Sequence, residues 1–166
     1  MKPILMAASL FAVYYFYTQD EKLLVLDYYY EGPYIQEVEK GLSYWHTNHF
    51  EFRRVSNIRD AYLIVSHIGP EYISNPKWVA EYMHRTKTIY LNNKYENVLR
   101  GPNLSGVIAH ESGHFLGLEH NRESKSIMNN KTPYDTTPSF LDKKRAATQI
   151  KMMYYKKWID DRIFSK

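Results

Sequence analysis

An α+β fold is predicted by three features of the chain. Apolar runs of strand length at 23–30, 50–55 and 60–66 alternate with one amphipathic helical stretch. A helix-compatible segment near 104–116 carries two histidines four residues apart. The chain then closes on a long helical pattern opened by Ser139.

Leu23-Leu24-Val25-Leu26-Asp27-Tyr28-Tyr29-Tyr30 is short and nearly all apolar or aromatic, the pattern of a buried strand. Gly32-Pro33 ends it and opens a helix, with proline at the first turn, where its missing amide costs nothing. Ile35, Val38, Leu42 and Trp45 share one face of that helix, with Gln36, Glu37, Glu39 and Lys40 opposite. Residues 50–55 and 60–66 are the next two strands, the latter apolar enough to be an inner one. Asn75-Pro76 is expected to cap a short helix holding Trp78, Val79, Tyr82 and Met83. Residues 86–92 follow as a strand. Gly101-Pro102-Asn103 breaks the chain again, and Asn103 or Ser105 can cap a helix whose buried side is Leu104, Val107, Ile108, Phe115 and Leu118. A loop from Pro133 to Pro138 leads to Ser139, which pairs with Asp142 as in a capping box. Phe140, Leu141, Ala147, Ile150, Met153 and Tyr154 are its candidates for the core, and the helix runs on through Trp158, Ile159 and Phe164.

The chemistry lies in His110-Glu111-Ser112-Gly113-His114-Phe115-Leu116-Gly117-Leu118-Glu119-His120. Histidines four apart on a helix are separated by ~6 Å along the axis and roughly 40° around it, so both rings reach one ion. Gly117 can adopt the left-handed backbone that ends a helix, which would return His120 as a third ligand. Three ligands leave an open, catalytic coordination position rather than a closed structural one. Glu111 stands beside the ligands without being one, as suits a base acting on zinc-bound water.

The spacing H-E-x-x-H-x-x-G-x-x-H resembles the metzincin clan of zinc endopeptidases, and is closest to matrixins and small bacterial matrixin-like proteases. Ser126-Ile127-Met128-Asn129 looks like the clan's Met-turn, with Met128 beneath the metal. The strand, helix, strand, strand order ahead of the motif is also that of matrixin-like domains. The resemblance implies a twisted, mostly parallel sheet packed on two helices, with the zinc helix below the cleft and a C-terminal helix closing the lower part. It implies one catalytic Zn²⁺ on His110, His114 and His120, and peptide-bond hydrolysis with Glu111 as base. Pro133 and Tyr134 lie where matrixins form the wall of the specificity pocket. They do not reproduce the Pro-x-Tyr pattern directly after the methionine. Asn121, where many matrixins have serine, is expected to hold the third-ligand turn by side-chain hydrogen bonds. The strand edge that would align substrate is not identified by the pattern, nor is the family's structural calcium and second zinc segment.

Composition bounds the rest. One domain is expected, at 21–166, with a formal net charge of +4 that is not by itself a nucleic-acid signature. The excess is local, since residues from Lys143 onward carry a net +6. A solvated outer helix face is the bland reading and an anionic-surface site the sharper one. The absence of cysteine excludes disulfides and thiolate ligands. Residues 1–20 pair Lys2 with an apolar, aromatic run and read as a signal peptide or short membrane anchor, the alternative being a first strand of a cytosolic protein. Secretion or anchorage outside the cytoplasm, membrane association through the N-terminus, a monomeric state and protein or peptide substrates are the matching expectations. A zinc-bearing binding, adhesion or assembly module with little proteolytic activity is the other class. Glu111 argues against it, because pure binding needs no base beside the metal.

Overall fold

Strand β1 (Leu24–Tyr29) buries Leu24, Leu26 and Tyr28 and leaves the residues between them half-buried, the period of two that a strand imposes. A computed structural model describes residues 24–48, 50–95, 97, 103–129 and 137–163. The expected leader at 1–20, together with Pro133 and Tyr134, lies outside that set. No helix among the described residues is long and apolar enough to cross a membrane.

Helix α1 (Ile35–Ser43) connects β1 to the parallel strand β2 (Phe50–Arg54), because parallel neighbours need a crossover. A single turn of 3₁₀ helix at Ile58–Asp60 delays the next strand, β3, to Leu63–Ile68, a shift of a few residues from the expected 60–66. Asn57 fixes that turn by accepting from the Arg59 amide at 3.0 Å. Strands β4 (Ala80–Met83) and β5 (Thr88–Asn92) complete a five-stranded sheet in the order β2-β1-β3-β5-β4. All neighbours are parallel except β4, which pairs antiparallel with β5 and occupies one edge. Helix α2 (Leu104–Phe115) and helix α3 (Phe140–Ile163) follow, giving the mixed α+β architecture that the sequence implied.

The segment around 75–83 corrects the expected short helix. Asn75 accepts from the Lys77 amide at 3.0 Å, and its carbonyl accepts from Trp78 at 2.9 Å, so the chain turns once and stops. Asn92, fully buried at the end of β5, then donates its side-chain amide to the carbonyls of Trp78 (2.8 Å) and Pro76 (3.3 Å). Its backbone amide donates to Val79 O at 2.9 Å. These bonds hold 76–79 against the sheet, and the aromatic and β-branched residues there suit a strand. Tertiary contacts have overridden a local capping signal. The hairpin turn at 84–87 carries no glycine and is closed with Lys87 at φ 51°, so the usual sequence mark of a hairpin is missing.

Phe140 and Leu141 are also corrected: they are exposed, not in the core. The inward stripe of α3 is Asp142, Ala146, Ile150 and Met153, at the helical spacing i, i+4, i+8 and i+11. Tyr154 belongs to the part of α3 whose side chains are not described.

The site is carried by the contact between α1 and α2. Gly41 lets the two axes come close, since a Cβ there would stand 2.5 Å from the Ser105 carbonyl oxygen and 2.6 Å from Ile108 Cβ. Trp45, also buried, donates its indole N–H to Ala109 O (3.0 Å) and Ser112 Oγ (2.9 Å), gripping α2 on either side of His110. Gly41→Ala is expected to cost about 1–3 kcal/mol, because backbone cannot yield as a flexible side chain would. Urea unfolding measures it, and an unchanged midpoint would mean that the helices do not meet this closely.

Candidate active site

Helix α2 places His110 and His114 on one face, one turn apart. Its end is a Schellman motif: the Leu118 amide donates to Gly113 O (2.9 Å) and the Gly117 amide to His114 O (2.9 Å). Gly117 takes φ 83°, a conformation strained for any side chain, and Leu118 buries itself to lock the turn. The chain therefore doubles back and brings His120 onto the two helix histidines.

The rings are oriented before any metal is considered. His110 Nδ1 donates to Ile127 O at 2.6 Å, and His114 Nδ1 donates to Leu118 O at 2.8 Å. A carbonyl can only accept, so both rings carry their proton on Nδ1 and present a bare Nε2. His120 Nε2 lies 3.1 Å from His110 Nε2 and 3.2 Å from His114 Nε2. One proton on His120 could satisfy only one of these contacts. A cation satisfies all three, and donors ~2.0–2.1 Å from a tetrahedral centre stand ~3.3 Å apart. The residues fit a zinc ion, and the triad could hold one. Burial holds the His110 ring below the usual imidazole pKa, an effect reinforced by His120 and opposed by the bond to Ile127 and by Asp142. Burial likewise lowers His114, against the upward pull of Glu111. Neutral imidazole is the form that binds metal.

Beneath the triad, 126–129 turn under α2. Met128 is buried, and a Cβ at Gly113 would stand 2.4 Å from its sulfur, so glycine at 113 is what admits the methionine so close to the helix. Asp142, with no exposed surface, accepts from Ser126 Oγ (2.5 Å), the Ile127 amide (3.0 Å), the Ser139 amide (2.9 Å) and Ser139 Oγ (2.8 Å). The expected capping box at the start of α3 is thus also the anchor of the turn that orients His110. Asn121 holds the third-ligand turn as expected: its amide donates to Met128 O (3.0 Å), Nδ2 to Ser126 Oγ (2.8 Å), and Oδ1 accepts from Glu123 N (3.0 Å).

Glu111 extends toward the sheet edge, where Oε2 accepts from the Tyr82 amide at 2.8 Å. Burial pushes its carboxyl up to about 7, with Glu81 adding to the rise and His114 and the Tyr82 bond opposing it. Triad, Glu111 and β4 share a cleft of ≈ 740 Å³, walled by Trp78, Val79, Val107, Leu118 and Ile127 among others.

The matrixin (peptidase M10) family matches residues 74–155, from the approach to β4 through most of α3. Over that stretch the chain is similar to matrixins. Matrixins are zinc enzymes, and the match supports a peptide hydrolase acting on protein or peptide substrates with one zinc ion. Among solved structures, archaemetzincin from Methanopyrus kandleri is similar at 11% identity and TM-score 0.48, over 80% of this chain and 98% of that one. No curated protein matches.

The structure brings together His110, His114, His120, Glu111 and Met128, five of the residues singled out from sequence. Pro133 and Tyr134 fall outside the described residues. Of the other described histidines, His46 Nε2 accepts from the Phe52 amide, His67 packs edge-on against Tyr34, and His84 lines the cleft. Sequence reasoning missed β4, the Tyr82 amide and the second role of Asp142. The strand-forming residues at 78–83, a short turn away from the strand at 86–92, were the signal for the first. Nothing local signals the other two, since both are partners distant in sequence.

Asp142→Ala should cost about 2–4 kcal/mol, because it strands the Ile127 and Ser139 donors inside the protein. Chemical denaturation measures this, and a loss below about 0.5 kcal/mol would show that the turn does not rest on Asp142.

Proposed function

We propose that this protein is a zinc-dependent endopeptidase in which Glu111 moves the proton. The observation that carries the reading is the position of the Glu111 carboxylate. It lies one residue from the first of three convergent imidazoles, and a strand-edge amide fixes its Oε2. Held by His110, His114 and His120, zinc would supply Lewis acidity, polarising the scissile carbonyl and acidifying water. With Oε2 engaged by Tyr82, Oε1 is the oxygen left to accept a proton. Glu111 takes that proton from the attacking water as the new C–O bond forms. It returns it to the amide nitrogen as the C–N bond breaks, leaving a carboxylic acid and an amine, between which the remaining proton then distributes.

The sheet edge supports cleavage within a chain. The Asn92 amide donates to Val79 O, so the alternation of an antiparallel pair directs the polar groups of Glu81 and Met83 toward β5 and those of Ala80 and Tyr82 outward. The Tyr82 amide serves Glu111. The Ala80 amide and carbonyl and the Tyr82 carbonyl are left to pair with an extended peptide lying along the cleft. On the composition of residues 1–20 alone, we place this activity outside the cytoplasm.

Elemental analysis of protein purified without chelator should find one zinc per chain, and His114→Ala should lose it. Glu111→Gln should keep its zinc, while hydrolysis of a peptide substrate falls by ~10²–10⁴-fold. Zinc retained at full stoichiometry by His114→Ala would sink the ligand assignment. Equal turnover by Glu111→Gln and wild type would sink the proton-transfer role.

A further inference from the structure

Helix α3 is apolar on two sides. Its inner side, with Ala146, Ile150 and Met153, packs on the core. Its outer side leaves Phe140 80%, Leu141 48% and Met152 52% exposed. Leu141 and Met152 are eleven residues apart, three turns, and so share one side of the helix. Phe140 and Lys144 are neighbours at i, i+4, and Lys143 and Lys144 are both exposed. A surface helix whose large apolar side chains stand in water among cations has the makeup of an interaction face.

We propose that this outer face docks on an anionic lipid surface. Charge selects that occupant. From Lys143 to Ile159 the chain carries Lys143, Lys144, Arg145, Lys151, Lys156 and Lys157 and no acidic residue. Arg145, the one arginine, is paired with Glu123. The others are lysines, compact point charges suited to a diffuse anionic surface, whereas carboxylates on a protein partner are better gripped by the guanidinium fork. Long lysine stems also let apolar neighbours sink below the headgroups while the ammonium stays at their level. A second copy of the chain is disfavoured, because two such faces would oppose like charges. No α3 residue whose side chain is described lines the cleft, and α3 meets the site region through Asp142, Arg145 and Gln149. The docked protein would keep its cleft accessible.

The test is co-sedimentation of the full chain with phosphatidylcholine vesicles, with and without about 30% phosphatidylglycerol. Wild type should bind the anionic vesicles at least ~10-fold better than the neutral ones, and lose that preference at ~1 M salt. The paired variants Phe140→Ser with Leu141→Ser and Lys143→Ser with Lys144→Ser should each weaken anionic-vesicle binding several-fold. Both should leave zinc content and peptide hydrolysis unchanged, which separates this proposal from the fate of the catalytic reading. Undiminished binding by both variants would overturn it, placing any membrane affinity elsewhere in the chain. Absence of binding by wild type, or equal binding to neutral vesicles, would also overturn it. So would binding to soluble polyglutamate as tight as to the anionic vesicles, which would mark the face as a site for acidic protein.

Discussion

The peptide unit of Ile127 is the constraint on which the site depends. Its N–H donates to the buried Asp142 carboxylate at 3.0 Å, and its carbonyl accepts from His110 Nδ1 at 2.6 Å. One rigid amide therefore transmits the position of α3 to the ring of a candidate ligand. If Asp142 were missing, the turn would lose both the bond to Ile127 and the one to Ser126 Oγ, which itself accepts from Met128 N at 3.0 Å. His114 is fixed by a different carbonyl, Leu118 O, set by the Schellman turn at Gly117. Two unrelated pieces of backbone thus choose the same tautomer for two rings, and their two bare nitrogens face Nε2 of His120.

A second constraint joins the sheet to the chemistry. β4 is the sole antiparallel strand of the described sheet, and its outward amide at Tyr82 is satisfied by Glu111 rather than by another strand. An unpaired edge is a hazard that proteins usually cover or charge. Here the edge forms one wall of the cleft, so the same exposed backbone that needs a partner can receive an extended chain. The bonds from Asn92 to Pro76, Trp78 and Val79 hold the start of that edge in place.

The motif from His110 to His120 was legible because its spacing is local: helical rise fixes two histidines, and one glycine fixes the return of the third. Strands with clean apolar runs, such as 24–29, and the helix at 35–43 were legible for the same reason. The failures are equally physical. Residues 75–83 carry a helix-capping signal that Asn92 overrules through hydrogen bonds to carbonyls 14 and 16 residues upstream. Phe140 and Leu141 look like core residues by composition. The phase of α3 is instead set by buried Asp142, a polar residue that no hydrophobic pattern would count. Asp142 was read as a cap, which it is; its hold on the Met128 turn depends on a fold that local pattern does not contain.

The central claim is that the fold presets the imidazole tautomers before zinc arrives. Long-range ¹H–¹⁵N spectra of the metal-free protein at neutral pH read this directly, with rings assigned by single His→Gln variants. His110 and His114 should each appear as the Nδ1–H tautomer, with an unprotonated Nε2. Either ring found as the Nε2–H tautomer, or averaging freely between the two, would contradict the account.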